Sequence, residues 1–300
     1  MTKAVPTPSA QKPYVVSADL GLLLSRWAHS SGFSAPSEKA LETLRTRFTN
    51  RMSSMFPSFE MLDERELESG ISDLVSQYGR PVISLDRVYA RDGIYLELSR
   101  AVDIHRKDAG LQQRANSKSP SDQFDDIARL LVGQDVVVVD DVIFEGKVIE
   151  RVTNELHTRG VRVSAVVAAV AVSEGVARIA ELGIETRCLH LYDEVLDEVC
   201  ERDFYPGAPF SGRSLQGHDN IGLPYIAPFG LPEQWASIPP EAALEFSRFC
   251  IEQTIQLFTE IERASERPVL CCDIPRGVFG LPRNEQRFVD VLQQVARGLP

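Results

Sequence analysis

The stretch Val136–Glu150, VVVVDDVIFEGKVIE, decides the fold. Its four consecutive valines leave no polar face, which fits a strand covered by helices on both sides, as the central strands of parallel sheets are. Two acids follow at once, and then a glycine-containing turn that enters a helix. Ligands bind at the carboxyl ends of such strands, because the next helix presents unpaired backbone N–H groups and the positive end of its dipole. Asp140 and Asp141 can accept hydrogen bonds from sugar hydroxyls, and the turn Phe144–Val148 can approach a phosphate. A sugar phosphate satisfies both halves. The plainer reading is a strand end in which one acid caps the next turn and the other is solvated.

Working outward, strands alternate with helical periods. DQFDDIARLLV precedes the valines, and a helix runs on to about Gly160. VRVSAVVAAVAV, SEGVARIAELG and IETRCLHLY then predict strand, helix and strand. This alternation predicts an α/β fold with a parallel sheet and helices on both faces. Upstream, VISLDRVY and IYLELSR flank Arg91-Asp92-Gly93 and predict a hairpin. Ala101–Asp122 lacks apolar periodicity and contains Gly110 and Pro120, so it reads as a long loop.

Residues 1–17 read as a flexible arm and residues 18–80 as a helical layer, with Ser37 a good N-cap for SEKALETLRTRF. Residues 81–200 form the expected α/β core. Residues 201–300 form a hood and C-terminal α/β extension, Gly- and Pro-rich at first, then helical through PPEAALEFSRFCIEQTIQLFTEIERA, with PVLCCDI as a strand before a last helix.

The 300 residues are 43% hydrophobic and 25% charged, an ordinary globular composition with ample core material. No apolar run approaches the ~18 residues of a membrane span, and the N-terminus lacks a signal-peptide core, which points to the cytoplasm. A formal net charge of −11 disfavours non-specific nucleic-acid binding. Arg106–Lys118, RKDAGLQQRANSK, is a basic island in that acidic chain. The five cysteines have no C-x-x-C spacing and the histidines no paired metal spacing, so neither group reads as a metal site. Cys271-Cys272 reads as buried packing, and His105 is the one histidine within the basic island.

A hydrophobic strand, an acidic pair and a glycine-containing turn into a helix resemble the phosphoribosyl-diphosphate motif of type I phosphoribosyltransferases, over roughly Pro81 to Arg213. The resemblance implies that Asp140 and Asp141 hold the ribose 2′ and 3′ hydroxyls and that Phe144, Glu145, Gly146, Lys147 and Val148 wrap the 5′-phosphate. It further implies a Mg2+ ion bridging hydroxyls and pyrophosphate, with Arg106 and Lys107, alongside Arg114 and Lys118, closing over the leaving group. Arg100 would serve the pyrophosphate, and Arg202, Asp203, Phe204 and Arg213 would contact the base. Arg202 and Asp203 as an ion pair and Phe204 as core packing are the alternative, and Tyr225, Phe229 and Trp235 read as hood packing.

The chain departs from the family in carrying Glu145 and Val148 where hydroxyl residues stand. A carboxylate at a helix N-terminus competes with phosphate for the same N–H groups. Two functions follow: phosphoribosyl transfer from phosphoribosyl diphosphate to a nitrogenous base, or an inactive sensing or protein-interaction module whose turn is occupied by Glu145. The partner would be a sugar phosphate or nucleotide in the first, and a second copy or another protein on the C-terminal extension in the second. A magnesium phosphatase is disfavoured, because adjacent strand residues point to opposite faces and no third ligand is evident.

Overall fold

The protein is described here by a computed structural model over residues 12–218 and 220–300. In chain order the elements are β1 (Tyr14–Ser17), α1 (Leu20–Ser31), α2 (Glu38–Met55), β2 (Phe59–Leu62), α3 (Glu64–Ser76), β3 (Val82–Ser84), β4 (Ile94–Tyr95), β5 (Leu98–Val102) and β6 (Asp108–Gln113). Then come α4 (Pro120–Leu131), β7 (Asp135–Ile143), α5 (Lys147–Thr158), β8 (Arg162–Val172), α6 (Ser173–Glu181), β9 (Glu185–Tyr192) and β10 (Asp197–Cys200). The last are β11 (Arg213–Leu215), β12 (Ile221–Leu223), α7 (Pro232–Trp235), α8 (Ala243–Ser265), β13 (Gly277–Val278) and α9 (Phe288–Gly298).

The central sheet has the order β4-β3-β7-β8-β9, and every pairing in it is parallel. The valine run lies at its middle. Val136 and Val138 face a cluster with Phe124, Ile127, Val152 and Leu156 from α4 and α5. Val137 and Val139 face the opposite cluster, with Leu23 of α1 and Leu67 and Ile71 of α3. Alternate residues of one strand thus enter two different cores, which is why no polar residue is tolerated there; each buried valine contributes at least about 1.5 kcal/mol. The α/β expectation with both faces covered holds.

Two further sheets, one of three strands and one of five, accompany this one. β1 lies between β10 and β2, both pairings parallel, and β5 and β6 join β11, β12 and β13. A third core, under α1, α2, α8 and α9, packs Phe48, Phe204, Phe246, Phe258 and Phe288.

The structure corrects several expectations. Of the expected arm, residues 1–11 lie outside the described residues, while Tyr14–Ser17 is a buried strand. β3 and β4 pair in parallel, not as a hairpin. The Asp86 carboxylate accepts the N–H groups of Val88, Tyr89 and Ala90 at 2.7, 2.6 and 2.7 Å, folding the intervening segment into a compact turn. The expected loop Ala101–Asp122 instead carries an antiparallel pairing of β5 with β6 and, capped by Ser119 Oγ, the start of α4. β6 is polar and only partly buried, so apolar periodicity could not reveal it. PVLCCDI is not a strand. Asp273 there accepts the Leu270 N–H at 2.9 Å and closes a turn, leaving a single bridge from Leu270 to Arg287. Cys271 is buried as expected, but Cys272 is exposed.

Candidate active site

The carboxyl ends of β3 and β7, the first turn of α5, β10 and the hood enclose a cleft of about 670 Å³. β7 continues through the acids to Ile143, so Asp140 and Asp141 belong to the strand and not to a loop after it. Asp140 accepts the Asp141 N–H at 3.0 Å, and Asp141 the Val142 N–H at 2.9 Å. Both carboxylates line the cleft.

Their electrostatics differ. Burial, then the charges of Asp141 and Asp86, push Asp140 well above the usual carboxylate range. Asp141 is half-buried, and Arg202, a hydrogen bond from Asp140 and Arg114 together hold it below that range against the desolvation. Arg202 Nη2 lies 3.3 Å from Asp141 Oδ2. Asp140 is thus the more readily protonated of the two and Asp141 the more readily ionised, a donor and an acceptor side by side of the kind a vicinal diol can use. Glu198 also lines the cleft, and burial followed by Asp141 pushes it up to about 8.

Past the acids, Gly146 has φ +74° and caps α5 with no side-chain hydrogen bond, leaving the first N–H groups of the helix without a side-chain partner. A Cβ at Gly146 would meet the Gly175 carbonyl oxygen at 2.9 Å, so the turn is pressed against α6. The Glu145 carboxylate does not occupy the helix terminus. It is exposed, 2.5 Å from Lys147 Nζ, and this pairing holds it below its usual range. The expected competition for the α5 N–H groups is therefore absent from this conformation. Phe144, Glu145, Gly146, Lys147 and Val148 all line the cleft.

Of the other basic residues expected at the site, Arg100, Arg114, Arg202 and Arg213 reach the cleft, which Arg87 and Arg276 also line. Arg213 stacks 4.8 Å from the Trp235 ring centroid and 5.7 Å from that of Tyr225. Those two aromatics line the cleft instead of serving as packing alone. Arg106 and Lys107 do not reach it. Arg106 donates to the carbonyls of Phe229 and Pro228, at 3.2 and 2.6 Å, and the Lys107 N–H closes the β5–β6 turn onto Asp103. Both were expected to close over a leaving group; the Arg106 side chain is instead held by the hood, and the Lys107 side chain is exposed outside the cleft lining. Lys118 is likewise paired with Asp126 at 2.6 Å, and His105 lies in the same β5–β6 turn.

Phe204 is fully buried and packs edge-on against Phe246, with centroids 5.3 Å apart, so it cannot stack on a base. Asp203 accepts the Gly212 N–H at 2.7 Å and fixes the hood loop. Arg202 is an ion-pair residue, held by Asp19 and Asp141. Sequence reasoning missed Asp86, Glu198 and Arg276. Asp86 had a signal, an acid interrupting the apolar run VISLDRVY; Arg276 had none. Among the described residues no group of three or more His, Cys, Asp or Glu is arranged to hold a metal. Among the described residues no helix is long and apolar enough to cross a membrane.

No protein-family model matches the chain, and no curated protein does. Solved structures similar to parts of it include an orotate phosphoribosyltransferase from Aeropyrum pernix, at 28% identity over 19% of this chain and 33% of that one, with a TM-score of 0.19. A UMP synthase from Leishmania donovani matches at 15% identity over 43% of this chain and 27% of that one, TM-score 0.28. An adenine phosphoribosyltransferase from Thermoanaerobacter pseudethanolicus matches at 15% identity over 43% of this chain and 79% of that one, TM-score 0.30. The chain thus spans a third or less of the length of the first two.

Proposed function

We propose that the cleft binds phosphoribosyl diphosphate or a nucleotide and transfers the phosphoribosyl group to a nitrogenous base with release of pyrophosphate. The observation that carries this reading is the pair Asp140 and Asp141 at the carboxyl end of β7, one turn before the uncapped N-terminus of α5. The acids suit a ribose diol and the helix terminus suits its 5′-phosphate. In the reaction the bond from C1 of ribose to pyrophosphate breaks and a bond from C1 to the base nitrogen forms. Positive charge develops on the ribose ring between the two events. Asp141, kept ionised by Arg202, faces that charge, while Arg100 faces the negative charge of the departing pyrophosphate.

A magnesium ion brought with the diphosphate would be held by Asp141 and, once its proton is displaced, by Asp140, together with substrate oxygens, and would neutralise charge on the leaving group. The protein's own residues otherwise bind and orient.

A second reading is a non-catalytic sensing or interaction module, favoured by the carboxylate of Glu145 standing beside the turn, paired with Lys147, where the related motif has a hydroxyl residue. Calorimetry with phosphoribosyl diphosphate and magnesium separates the two. The transferase reading expects heat from the wild type and none when both Asp140→Asn and Asp141→Asn are made. A silent wild type that regains heat on Glu145→Thr would sink the transferase and support the sensor.

A further inference from the structure

Behind the hood face of the cleft lies a second chamber of about 440 Å³, and Arg114 and Arg276 line both spaces. Arg276 comes from the C-terminal extension and is only 5% exposed. Among the described residues it makes one hydrogen bond, from Nη2 to Ser214 Oγ at 2.9 Å, and its Nε is buried without a partner. Arg114 Nε is buried without one as well, its carboxylate neighbour Glu97 standing off at 3.7 Å. A buried guanidinium left unmatched, as Arg276 is, is costly, and the half-buried Arg114, only loosely paired with Glu97 at 3.7 Å, lines the same two spaces.

The backbone is shaped to accept this arrangement. A Cβ on Gly222 would come within 2.4 Å of Arg276 Nε, so glycine there makes the room the side chain occupies. Burial, then the charge of Arg114, lowers Arg276 to about 10, with Asp203 pulling the other way. The chamber beyond is polar, with Gln112, Asn116, Ser214 and Gln216 in its wall. These are hydrogen-bonding groups of the kind that complete an oxyanion's shell.

We propose that Arg114 and Arg276 form an oxyanion subsite at the junction of the two chambers, and that it binds a phosphate or carboxylate group carried by the acceptor. The assignment rests on reading the cleft as a phosphoribosyl transfer site, and makes the acceptor an acidic molecule large enough to extend past the hood. Arg213, stacked on Tyr225 and Trp235, would flank its ring.

Calorimetry tests this on the wild type, Arg276→Gln and Arg114→Gln, each first titrated with ribose 5-phosphate and then, at saturation, with inorganic phosphate or with benzoate. The wild type is expected to bind at least one of the two anions, and each substitution to weaken that anion at least tenfold; Arg276→Gln should leave ribose 5-phosphate within twofold, and the sugar control is read on that variant because Arg114 also helps to hold Asp141 ionised. The anion bound tells whether the acceptor's acid is a phosphate or a carboxylate. Failure of ribose 5-phosphate to bind the wild type would instead remove the sugar reading, and the anion titration would still report on the arginines. Thermal melting adds a second readout: without anion, Arg276→Gln should melt at or above the wild type, because an unmatched buried charge is gone. Equal anion binding in all three proteins, no uptake by the wild type, or a variant that melts well below it would overturn the subsite.

Discussion

Arg202 lies 3.3 Å from Asp141 and is held from its other side by the fully buried Asp19. Asp19 also accepts the Arg202 N–H at 2.9 Å, and its own N–H donates to Glu201 at 3.2 Å. Glu201 pairs with Arg45 at 2.8 Å, and Arg45 with Glu64 at 2.9 Å. An ionic chain therefore runs from α2 and α3 to the sugar half of the cleft. The N-terminal helices thus brace Arg202, the residue that faces Asp141, through Asp19 and Glu201.

Asp19→Ala should leave Arg202 buried with only Asp141 to balance it. Removing one member of a buried ion pair typically costs roughly 3–5 kcal/mol. Urea unfolding of the variant is expected to show a loss of that size, and a loss under 1 kcal/mol would mean that the chain does not bear on stability.

Glu198 supplies a pH dependence. Its folded value of about 8 lies above the ordinary 4.5, because burial and the charge of Asp141 disfavour ionisation. The stability it contributes is fully present below pH 4.5 and lost as the pH rises through 8. Since Glu198 is partly exposed, the loss is expected to be on the order of 2 kcal/mol. Glu198→Gln should remove that part of the slope, measured by urea unfolding at pH 5, 6.5 and 8; an unaltered slope would place its origin in other groups.

Much of this was legible in the sequence, and the reasons are local. Four valines followed by two acids announce a two-sided strand and a strand-end site, because period and polarity change within one residue. The polar strand β6, with no buried residue in it, offers no such contrast and reads as loop. The parallel pairing of β3 with β4 depends on how Asp86 folds the backbone between them, which spacing does not encode. Arg106 and Arg114 look alike in a basic segment; only the tertiary path shows that the first grips the carbonyls of Pro228 and Phe229 while the second faces the cleft.

The close contact of the α5 turn with α6 gives a test of the phosphate half. A Cβ on Gly175 would lie 2.5 Å from the Phe144 carbonyl oxygen, backbone that must move. Gly175→Ala should push the turn outward and destabilise the protein by about 1–3 kcal/mol. The same variant should weaken ribose 5-phosphate about tenfold, read by calorimetry at a temperature where it remains folded. Wild-type affinity in a folded Gly175→Ala would separate phosphate binding from the position of this turn.

Phe204 decides between two roles for the hood. Its ring is enclosed by Phe48, at 5.4 Å between centroids, and by Phe246, at 5.3 Å, in the core beneath α2 and α8. Truncating a buried phenylalanine costs about 3–5 kcal/mol, through lost burial and the cavity left behind. Phe204→Ala should therefore lower stability by that amount. Phe204→Leu, which keeps most of the volume, should cost less and leave ligand affinity unchanged. A ring that stacked on a base would show the opposite pattern, with modest destabilisation and a large loss of affinity on Phe204→Leu. Urea unfolding and nucleotide titration of the two variants read both quantities, and an affinity loss in Phe204→Leu without matching destabilisation would return Phe204 to the binding surface.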